Sequence, residues 1–313
     1  MARAADTIGF MRTFATTVIA LAVLAVSADA SAFCRSTTCR STGAKECKTD
    51  ANTCPLDGAK LFWPTSCVSF SLNQLGTQEL DPQETFAVIR KTFQAWTEVP
   101  CPGGGRASMT FEERGPVSCK KSEYNKDGHN LNVILFQDDD WTYRGIDGTL
   151  AKTSVTYNDE TGEIYDADIE VNAANNTVTL PGAKKVEFDL QAILTHEVGH
   201  FIGIAHSSGG SAVMAPTYAS GSIAQRTLTP DDVAAVCAIY PPKSGVACVS
   251  EPRGGFSESC GAVATKKGLC SVSSPPASGH DGSGSTASLA LMGLGVLTVA
   301  RLARRSHGRG KRS

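Results

Sequence analysis

Two histidines four residues apart, a glycine three residues after the second, and a third histidine three residues beyond that constrain this chain more tightly than any other stretch of its sequence. The run reads His196-Glu197-Val198-Gly199-His200-Phe201-Ile202-Gly203-Ile204-Ala205-His206. On an α-helix, residues four apart stack on one face with Cβ atoms about 5–6 Å apart, so His196 and His200 can meet at a single point. Gly203 can take the left-handed backbone conformation that ends a helix, which lets the chain turn and bring His206 to the same point. Three imidazole nitrogens with a fourth position open form the donor set of a catalytic zinc, whereas structural zinc sites are closed by four protein ligands. Glu197 adjoins the first histidine, where its carboxylate can reach a water on the metal without entering the coordination sphere. Three of the chain's 6 histidines occupy these positions; His129, His280 and His307 have no such company and read as surface residues.

The surrounding pattern from about residue 61 to 242 is that of an α/β unit. Cys67 to Leu72 alternates apolar and polar residues as a strand does. Asp81 to Val99 carries Phe86, Ile89, Phe93 and Trp96 at helical spacing, with Asp81 and Pro82 placed to start the helix. Further strands are expected at Ser108 to Glu112, Leu131 to Phe136, Thr153 to Tyr157 and Glu163 to Val171, the last two joined by a turn over residues 158–162. Asp189 caps a helix on which Leu190, Ile193, Leu194 and Phe201 share a face, and Thr229-Pro230-Asp231-Asp232 opens a last helix carrying Val233, Val236 and Ile239.

Both ends read differently. Residues 1–32 have the form of a secretory signal, with Arg3 and Arg12 before an apolar run and Ala30-Ser31-Ala32 as a small-residue cleavage site. Residues 33–60 form a cysteine-rich arm with too few large apolar residues to bury a core of its own. Residues 243–282 read as a cysteine-containing linker, rich in Ser, Gly and Pro. Residues 283–313 pair an apolar run with an arginine cluster, which fits either a cleaved surface-sorting tail or a permanent anchor and is the only expected membrane contact. An exported, extracellular or surface-anchored protein, monomeric in form, is expected.

All 11 cysteines follow the signal, none forms a Cys-x-x-Cys pair, and disulfide staples in an oxidising compartment are the expectation, with connectivity open. The count is odd, and Cys270 is the residue expected to be left over. Setting the signal and tail aside, the formal charge of -2 becomes about -8, which excludes the basic footprint that nucleic acids require. Asp138-Asp139-Asp140 and the acidic turn at Asp159, Glu160 and Glu163 offer the oxygen donors that calcium takes, although charge runs are ordinarily solvated loops.

The zinc run, together with Ser207-Ser208-Gly209-Gly210-Ser211-Ala212-Val213-Met214-Ala215-Pro216-Thr217-Tyr218 and Leu228-Thr229-Pro230-Asp231-Asp232-Val233, resembles the matrixins, the matrix-metalloproteinase group of the metzincins. The resemblance spans roughly residues 61–242 and is strongest from Phe188 onward. It implies a metzincin α/β fold: a twisted mixed sheet backed by helices, the zinc site on the active-site helix, then a Met-turn and a last helix. It further implies a zinc endopeptidase acting on protein or peptide substrates, with His196, His200 and His206 as ligands and Glu197 as general base. Met214 would form the apolar floor beneath the metal, with Gly203 supporting the site. Pro216 stands where other metzincins place a metal-binding tyrosine, and Tyr218 would line the specificity pocket with it. An edge strand near Leu150 to Val155 would pair with the extended substrate. Three family features are missing: the Pro-Arg-Cys-Gly latch, the histidines of the second, structural zinc, and a haemopexin-like repeat. On the residues alone two other functions stay open, a stapled binding protein with structural zinc and a zinc hydrolase of a cell-wall amide, the first of which leaves Glu197 without a purpose.

Overall fold

The computed structural model describes residues 32–41, 46–143 and 149–258. The signal-like segment before Ala32, the tail from residue 283, and Cys270, His280 and His307 lie outside the described residues. In chain order the elements are β1 (Cys34–Arg35), β2 (Cys67–Asn73), α1 (Pro82–Glu98), β3 (Thr110–Val117), β4 (Val133–Gln137), β5 (Ala151–Tyr157), β6 (Ile164–Asn172), β7 (Val178–Thr179), β8 (Phe188–Asp189), α2 (Leu190–Phe201), β9 (Ile204–Ala205), a 3-10 turn (Ala224–Arg226) and α3 (Pro230–Ile239).

Five strands form one mixed sheet in the order β3-β2-β4-β6-β5. The first four run parallel, and β5 returns antiparallel to β6 to make the edge. Alternation along β6 sends Ala167, Ile169 and Val171 to the face covered by the helices, and Asp166, Asp168, Glu170 and Asn172 to the other. Both sets are buried.

The α1 helix begins where its sequence dictates: the Asp81 carboxylate accepts from Glu84 N at 2.9 Å, and Pro82 fills the first helical position. Its apolar stripe then locks the other layers together. Phe93 stacks on Phe70 of β2 with centroids 4.0 Å apart and meets Phe201 of α2 edge-on at 5.4 Å. The fully buried Trp96 donates its indole N–H to Thr195 O at 3.0 Å, which satisfies the one polar atom it carries into the core. The α2 helix is therefore clamped between α1 and the sheet.

The cysteines close two kinds of loop. Cys34–Cys54 and Cys39–Cys47 staple the N-terminal arm within itself, while Cys67–Cys248 and Cys101–Cys237 join residues 181 and 136 positions apart. In the chain-entropy picture the long closures contribute most, up to about 5 kcal/mol each. Cys119 is disulfide-bonded as well.

Past Pro242 the structure departs from a free linker. As far as residue 258 the chain runs along the sheet. Cys248 is tied to Cys67, Val249 N donates to Thr65 Oγ1 at 2.9 Å, and the Arg253 guanidinium lies 3.8 Å from the centroid of the Tyr165 ring. The composition misleads here because a crosslink and main-chain hydrogen bonds, rather than large apolar side chains, hold the segment. Among the described residues no helix is long and apolar enough to cross a membrane.

Candidate active site

The site is built on α2. Asp189 caps the helix through its side chain, accepting from Ala192 N at 2.9 Å, and is itself held by a two-pronged ion pair with Arg226. From this cap to Phe201 the helix is nearly all buried, and His196 and His200 sit one turn apart on its open side. The helix ends at Phe201. Gly203 follows at φ +90°, donating its N–H to His200 O at 2.9 Å, and a Cβ there would lie 2.7 Å from Leu61 O. The two residues of β9 pair with Cys34 and Arg35 of β1, and that short ladder delivers His206 to the cluster.

The three rings form a triangle, with centroids 4.8 Å apart for His196–His200 and His200–His206 and 5.2 Å for His196–His206. Two tautomers follow from the neighbours. His196 Nδ1 lies 2.7 Å from Val213 O and His200 Nδ1 lies 2.8 Å from Ile204 O. A carbonyl oxygen only accepts, so each Nδ1 carries the proton and each Nε2 presents a lone pair. Burial holds His200 well below the ordinary imidazole range, assisted by repulsion from His196 and His206, and together with His196 it brings His206 down to about 4. His200 and His206 are thereby kept neutral, as metal ligands must be.

The donor set fits zinc. The Nε2 atoms of His200 and His206 are 3.2 Å apart, close to the edge of about 3.3 Å that a tetrahedron with zinc–nitrogen bonds of about 2.0–2.1 Å requires. One ligand atom from each of the three histidines lies within 4.8 Å of the others. Among the described residues no other group of three or more histidine, cysteine or acidic side chains converges in this way. The acidic residues offered for calcium form no such group; Asp138 instead accepts from Thr77 Oγ1 at 2.5 Å and Gln78 N at 3.1 Å, tying down a loop.

Glu197 is 7% exposed, and burial raises its carboxyl pKa, opposed by the neighbouring His196 and by hydrogen bonds from Thr153. Thr153 Oγ1 lies 2.6 Å from Glu197 Oε2. A cleft of about 730 Å³ opens over the cluster, bordered by β5 on one side and by Phe188, Ile193, Ala215, Pro216 and Tyr218 on the other. The Tyr218 hydroxyl donates to Ser222 O and accepts from Asp189 N at 3.0 Å, so its ring is fixed as a wall.

The fully buried Met214 packs against α2 at Gly199: a Cβ there would fall 2.1 Å from its sulfur. That makes Gly199, an unspecified position of the run, a required small residue. Two aspartates of α3 hold the turn that carries Met214. Asp232, fully buried, accepts from Val213 N at 2.9 Å and Met214 N at 3.1 Å. Asp231 accepts from Ser207 Oγ at 2.7 Å and from the main-chain N–H groups of Ala32 and Phe33 in the N-terminal arm. Of the sequence-predicted site residues, His196, Glu197, His200, His206, Pro216 and Tyr218 line the cleft, Met214 packs against Gly199 of the helix, and Gly203 ends the helix against Leu61. Gly199, Thr153 and the support from Asp232 escaped sequence reading, the last two because they are contacts between distant segments.

Comparison with known proteins matches residues 62–241 to the family model for matrixin. Metalloendoproteinase 1-MMP of Arabidopsis thaliana is 27% identical over 190 residues, covering 58% of this chain and 44% of that protein. Matrix metalloproteinase-C of Caenorhabditis elegans is 27% identical over 209 residues, covering 63% and 32% respectively. Human matrix metalloproteinase-19 is 29% identical over 184 residues, covering 59% and 31%. The chain therefore spans less than half the length of these curated relatives.

Proposed function

The chain belongs to the matrixin family, and from that premise we propose that it is a zinc-dependent endopeptidase that cleaves extracellular proteins, with His196, His200 and His206 as metal ligands and Glu197 as general base. The observation that carries this reading is the pair of carbonyl-held imidazoles, Val213 O on His196 and Ile204 O on His200, aiming lone pairs at the position His206 also reaches. Zinc bound there supplies Lewis acidity towards the scissile carbonyl and makes water acidic enough to lose a proton near neutral pH.

The protein's own groups do the rest. Among the described residues β5 is one of the two edge strands of the sheet, the one that borders the cleft, so an extended peptide can add to it as a further strand through main-chain hydrogen bonds. This orients the scissile bond across the cleft. The pocket walled by Phe188, Ile193 and Tyr218 takes an apolar side chain from the residue after that bond. Glu197, its carboxyl pKa raised by burial, takes the proton from the attacking water and returns it to the leaving amine. Met214 packs the floor. The disulfides agree with an exported protein, and export through the N-terminal segment, with retention or release decided by the tail, is part of the proposal.

The test is digestion of a denatured protein by the purified full chain with and without chelator, followed by sequencing of the fragments. Cleavage that the chelator abolishes and zinc restores, with apolar residues after the cut, is expected. Glu197→Ala should retain zinc and lose turnover by about 100- to 10,000-fold. Chelator-resistant cleavage, or parental turnover in Glu197→Ala, would refute the reading.

A further inference from the structure

Thr153 belongs to β5, directly opposite Ile169 of β6, on the edge strand where the substrate is placed. Its hydroxyl crosses from the sheet to the helix, 2.6 Å from Glu197 Oε2 and 3.1 Å from Glu197 O. A threonine hydroxyl has one proton to give, and the nearer, charged oxygen takes it. Thr153 is β-branched, so the strand backbone limits the directions the hydroxyl can point, whereas Glu197 has several rotatable bonds of its own. The stiff partner sets the flexible one.

We propose that Thr153 is a positioning residue for peptide hydrolysis: its hydroxyl, given from the substrate-binding strand to Glu197 Oε2, fixes the carboxylate rotamer so that Oε1 meets the attacking water beside the three imidazoles. The inference rests on the endopeptidase reading above. It assigns the edge strand a second task, since the strand that aligns the peptide also aims the base. Among the described residues, Thr153 is the one partner that hydrogen-bonds that carboxylate.

Thr153→Val keeps the shape and the strand preference and removes only the donor; Thr153→Ser keeps the donor and removes a methyl group. Steady-state cleavage of a peptide substrate should show kcat reduced about tenfold to a hundredfold in Thr153→Val, the range for losing a hydrogen bond to a charged group, with KM within about twofold. Thr153→Ser should restore most of kcat. Zinc content and thermal midpoint should match the parent in both, and a crystal structure of Thr153→Val should show the Glu197 carboxylate in a different rotamer. Parental kcat in Thr153→Val, a defect confined to KM, or an equal defect in Thr153→Ser would overturn the proposal. Chelator-sensitive cleavage by the parent and its loss in Glu197→Ala are run alongside. If the parent fails them, the endopeptidase reading falls and takes this inference with it; if the parent passes and Thr153→Val equals it, only the inference falls.

Discussion

Two clusters of buried ionisable side chains lie on opposite sides of the same sheet. On the helix-covered side, the histidines and Glu197 border an open cleft, with Nδ1–H groups given to carbonyls and lone pairs turned towards the opening. On the other side, Asp166, Asp168 and Glu170 stand in a row along β6 and are enclosed by protein. Asp168 accepts from Val133 N at 2.8 Å and from Ser122 Oγ and Glu123 N at 3.0 Å, and Glu170 accepts from Gln137 and Tyr143. Burial perturbs both clusters. It raises Asp166 well above the ordinary carboxylate range, reinforced by Asp168, and pushes Asp168 up to about 7. A shifted pKa alone therefore does not mark a reactive site; convergent lone pairs with access to solvent do.

The two clusters depend on pH in opposite senses. His200 and His206 have depressed pKa values, so their neutral form belongs to the folded state; that stabilisation is present above the ordinary imidazole value and is lost as pH falls, for His206 towards about 4. The aspartates have raised values, so their stabilisation is complete below the unfolded carboxylate value and is lost as pH rises, for Asp168 through about 7.

The larger way to break the comparison is to remove a support of the open cluster. Asp232 holds Val213 N, and Val213 O in turn holds His196. Asp232→Ala should cost about 1–3 kcal/mol in denaturant unfolding, because buried N–H groups lose their acceptor. It should also weaken zinc binding about 10- to 100-fold, the usual effect of disturbing what orients a ligand. Unchanged metal affinity would mean that the Met214 turn does not orient His196. The smaller effect comes from the closed cluster. Asp166 Oδ1 is buried without a hydrogen-bond partner, so Asp166→Asn removes a charge that nothing compensates. The thermal midpoint of the variant minus that of the parent should grow as pH rises above about 4, the ordinary carboxylate value. A flat difference would show that Asp166 is ionised throughout.

The open cluster was legible in the sequence and the closed one was not. All three ligands, the base and the helix-ending glycine fall within eleven consecutive residues, where helical geometry alone fixes their relation. The α1 helix was equally readable, with Asp81, Pro82 and its aromatic spacing giving nearly the observed bounds. Strand limits were less so: β3 was expected to stop at Glu112, and it continues through Gly115 and Pro116 to Val117 as an edge strand. The two-residue strands β1 and β9 are too short to carry a period, although their pairing delivers His206. The hydroxyl of Thr153 on Glu197, the grip of Asp232 on the Met214 turn and the disulfide partners join segments far apart in sequence, where spacing carries no information.

X-ray absorption at the zinc edge of the purified full chain tests the central claim most directly. One zinc per chain, bound by three imidazole nitrogens at about 2.0–2.1 Å with an oxygen donor in the fourth place, is the expected spectrum. An absence of stoichiometric zinc, or a sulfur shell near 2.3 Å, would contradict it.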